Sequence, residues 1–293
     1  MTTTRFLGIT LPLVLILALL IFFLPVRAAS VYVAVTQPLA LLIGSALALY
    51  VSRLYRKQLR AAFVFLAAFL FIYMLAIVLF LSPFPILLSS LKSNMPEAQT
   101  LLVVESIQFL NYLMLVLFCV YLLKVVDIRR LSSNGWIVFA VTCVVSLFVA
   151  VYPEWNLFKN LFASELPLIL YATIRLLDAA LIIVLMPVIW LYIQYLKSRQ
   201  KQSMTFTIVI AGIVAVTLLD YLFEVILSGF PRLLGQDSPI ITSAPETIFV
   251  FGYLLIAVGL YAHRKQDEWG FQAIDKAMQP ETNPVEIKSG KGH

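Results

Sequence analysis

The sequence predicts an all-α integral membrane protein, and this fold class rests on composition, on the length of the apolar runs and on charge placement. Hydrophobic residues make up 62% of the 293-residue chain and charged residues only 12%, with a mean hydropathy of +0.98. A soluble domain is close to half apolar and a quarter charged. The composition therefore predicts a multi-pass protein of the cell membrane, with the lipid bilayer as its main partner.

Eight apolar runs are each about as long as the roughly 20 residues of helix that cross the hydrocarbon core of a bilayer. Backbone in that layer must satisfy its own hydrogen bonds, which favours helices. We expect eight transmembrane helices in one domain over 1–265, followed by a short cytoplasmic tail over 266–293. The runs cover 6–26, 31–52, 61–82, 104–124, 135–153, 168–196, 204–228 and 246–263.

Basic residues cluster in the loops that follow the second, fourth and sixth runs. Because cytoplasmic loops carry an excess of Lys and Arg, these loops should be cytoplasmic, and so should both termini. The loops 83–103, 154–167 and 229–245 have no basic cluster and should face outward. The net charge of +6 is thus a topology signal, and no nucleic-acid partner is expected. The clustered basic residues are Arg53, Arg56, Lys57, Arg60, Lys124, Arg129, Arg130, Lys197, Arg199 and Lys201.

The first apolar run has two interpretations. Arg5 before it and Val26-Arg27-Ala28 after it fit a signal peptide with a cleavage site. Its long apolar core favours a retained helix. Cleavage would leave seven helices.

A repeated segment suggests an internal duplication. LSPFPILL at 81–88 and LSGFPRLL at 227–234 match at six of eight positions. The proline in each segment ends its helix, because it donates no backbone hydrogen bond. The runs that follow also align, and their shared residues are Glu105 with Glu246, Tyr112 with Tyr253 and Lys124 with Lys265.

These matches predict two parallel four-helix repeats, with halves 1–130 and 131–265. An even number of helices in each half gives both halves the same orientation, so their twofold axis would run along the membrane normal. Chance and shared topology rules are the alternative explanation.

Six charged residues interrupt the apolar runs, all in the half of the bundle that should face outward. A charged side chain at a helix centre costs about 2.5–3.5 kcal/mol on insertion, so each one needs a partner or a function. One arginine faces five carboxylates, which would draw in a cation or a small polar solute. Whether a metal binds there is left open. The candidate ligand-binding residues are Glu105, Arg175, Asp178, Asp220, Glu224 and Glu246.

A purely structural interpretation competes with this site. Arg175 and Asp178 are three residues apart and could form an ion pair within one helix. Glu105 and Glu246 could simply favour the positive N-terminal ends of their helices. In that case the polar residues only hold helices together.

Several classes of protein are disfavoured by the sequence. Cys119 and Cys143 lie inside apolar runs, which argues against a disulfide framework. The two histidines, His263 and His293, are too few for a three-histidine zinc site. No nucleotide-binding, metalloprotease or hydrolase motif occurs, so no cofactor is expected and an enzyme is less favoured than a non-enzyme. Paired carboxylates remain the one route to acid–base chemistry.

Three classes of function fit these features. The favoured class is a protein that binds or transports a cation or a small polar solute at an outward-facing, carboxylate-rich site. The first alternative is a sensory module that reads a ligand there and signals to a separate membrane partner. The second is a structural subunit of a larger membrane complex.

Overall fold

The computed structural model describes residues 3–81, 97–125, 131–152, 155–160, 166–197, 203–219 and 239–265. All regular secondary structure in these segments is helical. Six of the described helices are long and apolar enough to cross a membrane. This confirms the helical membrane-protein class. The count of eight spans and the orientation of the termini remain predictions.

The principal helices follow the predicted apolar runs in order. The fifth and seventh contribute shorter apolar stretches, Ser133–Phe148 and Thr207–Thr217. π-helical turns at Ile77–Leu81 and Ala215–Leu219 continue the third and seventh. The helices are α1 (Thr3–Leu19), α2 (Val26–Ser52), α3 (Lys57–Ala76), α4 (Glu97–Val125), α5 (Ser133–Val151), α6 (Leu166–Lys197), α7 (Ser203–Val214) and α8 (Pro239–Arg264).

Six helices form a ring in which each packs against the next. The order around the ring is α2, α3, α4, α6, α7 and α8, and α8 closes the ring against α2. One hydrophobic cluster takes buried side chains from all six, including Leu41, Leu70, Phe118, Leu181 and Ile256. The core is therefore shared by helices from both ends of the chain.

The remaining two long helices lie outside this ring. α1 packs on α8, where Leu7 and Val14 are buried. α5 packs on α6, and the Ser132 hydroxyl at its start accepts hydrogen bonds from Gly135 N and Trp190 Nε1, each at 3.2 Å. We call the end of the bundle that carries Arg5, the loop 53–56 and Arg264 the basic end. α4, α6 and α8 run toward it from the opposite end.

Hydroxyl side chains inside the helices mostly bond to the protein itself. The Ser45 hydroxyl of α2 donates to the Ala67 carbonyl of α3 at 2.9 Å, which links two helices. Others donate to the carbonyl four residues earlier, the usual solution where water is absent. These residues are Thr10, Ser30, Ser106, Thr142, Thr173 and Thr217.

α7 and α8 approach each other most closely at two glycines. A Cβ on Gly212 would lie 2.7 Å from the Gly252 carbonyl oxygen, and a Cβ on Gly252 would lie 2.9 Å from the Gly212 carbonyl oxygen. The Val216 side chain also occupies the space beside Gly252. Small residues let helix backbones pack tightly in lipid, where the hydrophobic effect does not drive helices together.

Several predictions fall outside the described residues. They include nearly all of LSPFPILL at 81–88, the whole of LSGFPRLL at 227–234, the site residues Asp220 and Glu224, and the tail 266–293.

Replacing Gly252 with alanine should destabilise the bundle. The added methyl group meets Gly212 backbone and the Val216 side chain, and overpacking of this kind costs about 1–3 kcal/mol. Thermal unfolding of the purified protein in one detergent would measure the loss. Gly8→Ala is the matched control, since no atom lies within 4 Å of its added Cβ, and its effect should stay within about 0.5 kcal/mol. Equal stability of the two variants would contradict the close α7–α8 contact.

Candidate functional site

Two of the predicted site residues form a buried ion pair on α6. Arg175 Nη1 lies 3.8 Å from Asp178 Oδ2, and the two side chains are only 11% and 7% exposed. Arg175 Nη2 also donates to the Tyr171 hydroxyl at 2.9 Å, and the guanidinium carbon lies 4.9 Å from the centre of the Tyr171 ring. The arginine is thus held by two residues of its own helix, one turn before it and one turn after it.

The same arginine faces α4. Its guanidinium is close enough to the Glu105 carboxylate and the Tyr112 phenol to interact with both electrostatically. Glu105 and Tyr112 are seven residues apart, so they project from nearly the same side of the helix. The site therefore lies where α4 packs on α6.

Asn111 lies on a different side of α4, toward the interior of the ring. At 100° per residue it is rotated by about a third of a turn from the side that carries Tyr112 and Glu105. The side of α4 opposite Tyr112 contacts α3, where the ring centres of Tyr121 and Phe65 are 5.4 Å apart. Asn111 is only 3% exposed, between these two contacts. Its amide is thus inside the bundle.

Two buried acceptor atoms in this region lack a partner. Glu105 Oε2 and Asn111 Oδ1 have no hydrogen-bond partner among the residues that the structure describes. Leaving such a group unpaired costs about 1–3 kcal/mol, and more when it is charged. Both atoms are oxygens that accept hydrogen bonds or coordinate cations, so what is missing is a donor or a positive charge.

These polar groups reach the middle of the spanning segments. Asn111 lies about 14 Å inside Leu102, where the span of α4 starts, and Asp178 lies about 15 Å inside Leu168 on α6. Glu105 lies about 5 Å inside the span of α4. Polar side chains thus occur at depths from near the opposite end of the bundle to the middle of the spans of α4 and α6.

The helix N-terminus explanation for Glu105 and Glu246 is wrong. α4 begins at Glu97 and α8 at Pro239, so both glutamates lie about two turns inside their helices. The stabilising effect of the macrodipole falls off within the first turn. Both helices begin before their apolar runs, which the position of the hydrophobic residues alone did not indicate.

Glu246 lies apart from the Arg175 pair. It belongs to α8, which α7 separates from α6 in the ring, and it is partly buried near the start of the span Pro245–Arg264. Asp220 and Glu224 lie outside the described residues. The structure thus brings together Glu105, Arg175 and Asp178 of the six predicted residues.

Sequence reasoning did not assign Tyr171 and Tyr112 to the site. Their spacing was a usable signal, since Tyr171 precedes Arg175 by four residues and Tyr112 follows Glu105 by seven. No group of three or more His, Cys, Asp or Glu side chains within the described segments is arranged to hold a metal ion.

Comparison with known proteins gives no relative. No protein-family model, curated protein or solved structure matches this chain.

Removing only the arginine should strongly destabilise the protein. Arg175→Met leaves Asp178 buried without its partner, and breaking a buried ion pair in this way typically costs about 3–5 kcal/mol. The double variant Arg175→Met with Asp178→Leu should recover much of the loss, because position 178 then no longer carries a buried carboxylate. Thermal unfolding of the variants and the parent would compare them. Equal losses in the single and double variants would show that the two side chains do not depend on each other.

Proposed function

We propose that this protein binds a cation or a small cationic solute in the polar region between α4 and α6, and moves it across the membrane. The single observation that carries the proposal is a pair of buried acceptors, Glu105 Oε2 and Asn111 Oδ1, for which the described residues supply no hydrogen-bond partner. Elsewhere in the bundle, the hydroxyl groups of Ser45, Thr142 and Thr217 donate hydrogen bonds to backbone carbonyls. A bundle held together only by polar contacts would gain nothing from leaving these two acceptors unpaired.

Charge balance favours a positive ligand. Arg175 and Asp178 neutralise each other at 3.8 Å, which leaves the Glu105 carboxylate as the surplus charge. A cation beside Glu105 would supply the missing countercharge, and water that enters with it would supply a donor to Asn111, about 9 Å farther along α4. In this proposal Asp220 and Glu224 line the same site from the seventh helix, and Glu246 lies at its rim.

We further propose eight spans arranged as two parallel repeats. The order of helix contacts supports this, because α3 packs on α4 as α7 packs on α8, and α4 packs on α6 as α8 packs on α2. The third helix of each proposed half also ends in a π-helical turn. The outer helices do not follow the pattern, since α1 packs on α8 whereas α5 packs on α6.

A sensory role is the second candidate, and one observation favours it. Toward the basic end, the interior is occupied by apolar side chains that include Phe118, Leu122, Leu185 and Leu260, each no more than 2% exposed. A ligand that reached Asn111 would meet this layer. Such a closed arrangement suits a protein that reads a ligand and passes the signal to a partner.

Titration of purified protein with cations should reveal the ligand. The chlorides of sodium, potassium, calcium and methylammonium would each be tested in thermal unfolding against choline chloride of equal ionic strength. A ligand at 100 times its Kd stabilises by about 2.7 kcal/mol, so at least one cation should give a saturable rise in Tm. Glu105→Gln and Asn111→Leu should each abolish that rise, and so should Asp220→Asn combined with Glu224→Gln.

Ser106→Ala is the matched control for these variants. Ser106 is the exposed neighbour of Glu105, and its hydroxyl donates to the Leu102 carbonyl of its own helix, 2.7 Å away. Its titration should match that of the parent. If the parent shows no specific cation effect, or if all variants show the same effect, the binding proposal is wrong and the polar residues have a purely structural role.

Reconstitution into liposomes would separate transport from sensing. Uptake of the stabilising cation by parent liposomes, and none by the Glu105→Gln variant, is the result expected of a transporter. Binding without uptake would favour the sensory role.

Labelling of single cysteines would test the proposed orientation. In a background with Cys119 and Cys143 replaced by alanine, a cysteine at Arg56 should react with a membrane-impermeant maleimide only after lysis. A cysteine at Lys92 should react in intact cells. The reverse labelling pattern would show that the protein has the opposite orientation, with the α4–α6 site toward the cytoplasm.

A further inference from the structure

The basic end of the bundle gathers positive charges from three distant parts of the chain. In sequence, Arg53, Arg56, Lys57 and Arg60 form a single basic loop, whereas Arg5, Arg264 and Lys265 stand far from it. The fold brings these segments together, because α1 packs on α8 and α8 packs on α2.

A buried contact joins the end of α8 to the loop before α3. The Tyr55 hydroxyl and His263 Nε2 form a hydrogen bond, and the two residues are only 4% and 3% exposed. Phe63 of α3 completes the cluster, with its ring centre 5.5 Å from that of Tyr55 and 6.1 Å from that of His263. This Tyr55–His263 contact holds Arg264 beside the basic loop.

Two aromatic contacts place the remaining charges. The Arg264 guanidinium carbon lies 4.2 Å from the centre of the Tyr50 ring on α2. On the other side of α8, the Phe6 ring lies 5.5 Å from that of Tyr261, which brings the neighbouring Arg5 to the same end of the bundle. Arg264 is therefore placed by a contact of its own side chain, and Arg5 by the contact of its neighbour Phe6.

The patch is strongly basic and lies at the ends of the candidate membrane spans. The spans of the four contributing helices have boundaries at Arg5, Ser52, Lys57 and Arg264, so each charge lies within about one turn of a span boundary. Neither residues 1–96 nor residues 247–266 contain Asp or Glu. Acidic residues resume at Asp267, two residues after Lys265. We call this set the basic patch: Arg5, Arg53, Arg56, Lys57, Arg60, Arg264 and Lys265.

We propose that the basic patch is a binding site for the phosphate-bearing headgroup of an anionic phospholipid. Arginine side chains bind phosphate through paired N–H groups, and basic pockets between helices at the membrane surface recognise such headgroups. The charge excess at cytoplasmic loops accounts for four basic residues in one loop. It does not account for a buried tyrosine–histidine contact that brings the end of α8 to that loop.

A lipid is the occupant that fits this location. The patch borders exposed apolar side chains of the same helices, such as Leu49 and Leu54, which are 47% and 44% exposed and would contact the acyl chains. A free phosphate would use the charges and leave this apolar surface unmatched. The headgroup and the adjacent chains together match both features.

Native mass spectrometry of the delipidated full-length protein would test the proposal. Titration with dioctanoyl phosphatidylglycerol and with dioctanoyl phosphatidylcholine should show at least tenfold tighter binding of the anionic lipid. Arg53→Gln combined with Arg264→Gln should reduce that preference at least fivefold. Tyr55→Phe, which retains every charge but removes the hydrogen bond to His263, should weaken binding by a smaller factor.

Lys124→Gln is the matched control. Lys124 also lies at the basic end of its helix and also sits over a tyrosine, 4.9 Å from the centre of the Tyr121 ring, but it belongs to α4. It should retain the preference for phosphatidylglycerol. Equal binding of the two lipids by the parent, or an equal loss in Lys124→Gln, would overturn the proposal. Full competition by millimolar inorganic phosphate would show a site for a soluble anion and would overturn it as well.

Discussion

A hydrocarbon layer offers no hydrogen-bond partner to a polar group, and this constraint accounts for most of the structure. It requires the backbone to form helices. It also leads Thr142 and Thr217 to donate to carbonyls of their own helices, and Ser45 to bond across to α3. Glu105 Oε2 and Asn111 Oδ1 differ from these hydroxyls, because they are buried and find no hydrogen-bond partner among the described residues.

The same constraint divides the interior into two zones. Toward the opposite end, Arg175, Asp178 and Glu105 bring charge to the α4–α6 contact, and Asn111 brings a polar group to the adjoining interior near the middle of the spans. Toward the basic end, a continuous apolar cluster fills the space. A bound ligand would therefore have polar surroundings on one side only, and transport would require this cluster to rearrange.

α8 connects these zones to the rest of the fold. It packs on α1, α2 and α7, and its glycine contact with α7 depends on the absence of side chains at Gly212 and Gly252. At its end, His263 bonds to Tyr55 and Arg264 stacks on Tyr50. Tight backbone packing in mid-membrane and aromatic contacts at the surface thus hold one helix at several points. A displacement of α8 would therefore change both its packing in the ring and the positions of the charges in the basic patch.

The sequence by itself determined the helical membrane class, the order of the helices and the presence of charges that lipid does not tolerate. These features are local, because hydrophobic run length and charge cost depend on each segment alone. Only the tertiary structure decided which helices meet. It brought Glu105 and Tyr112 of α4 within electrostatic range of Arg175, made Asn111 an interior residue and joined His263 to Tyr55 across more than 200 residues of chain. Nearly every helix here is apolar on all sides, so the pattern of hydrophobic residues does not mark which face meets which neighbour.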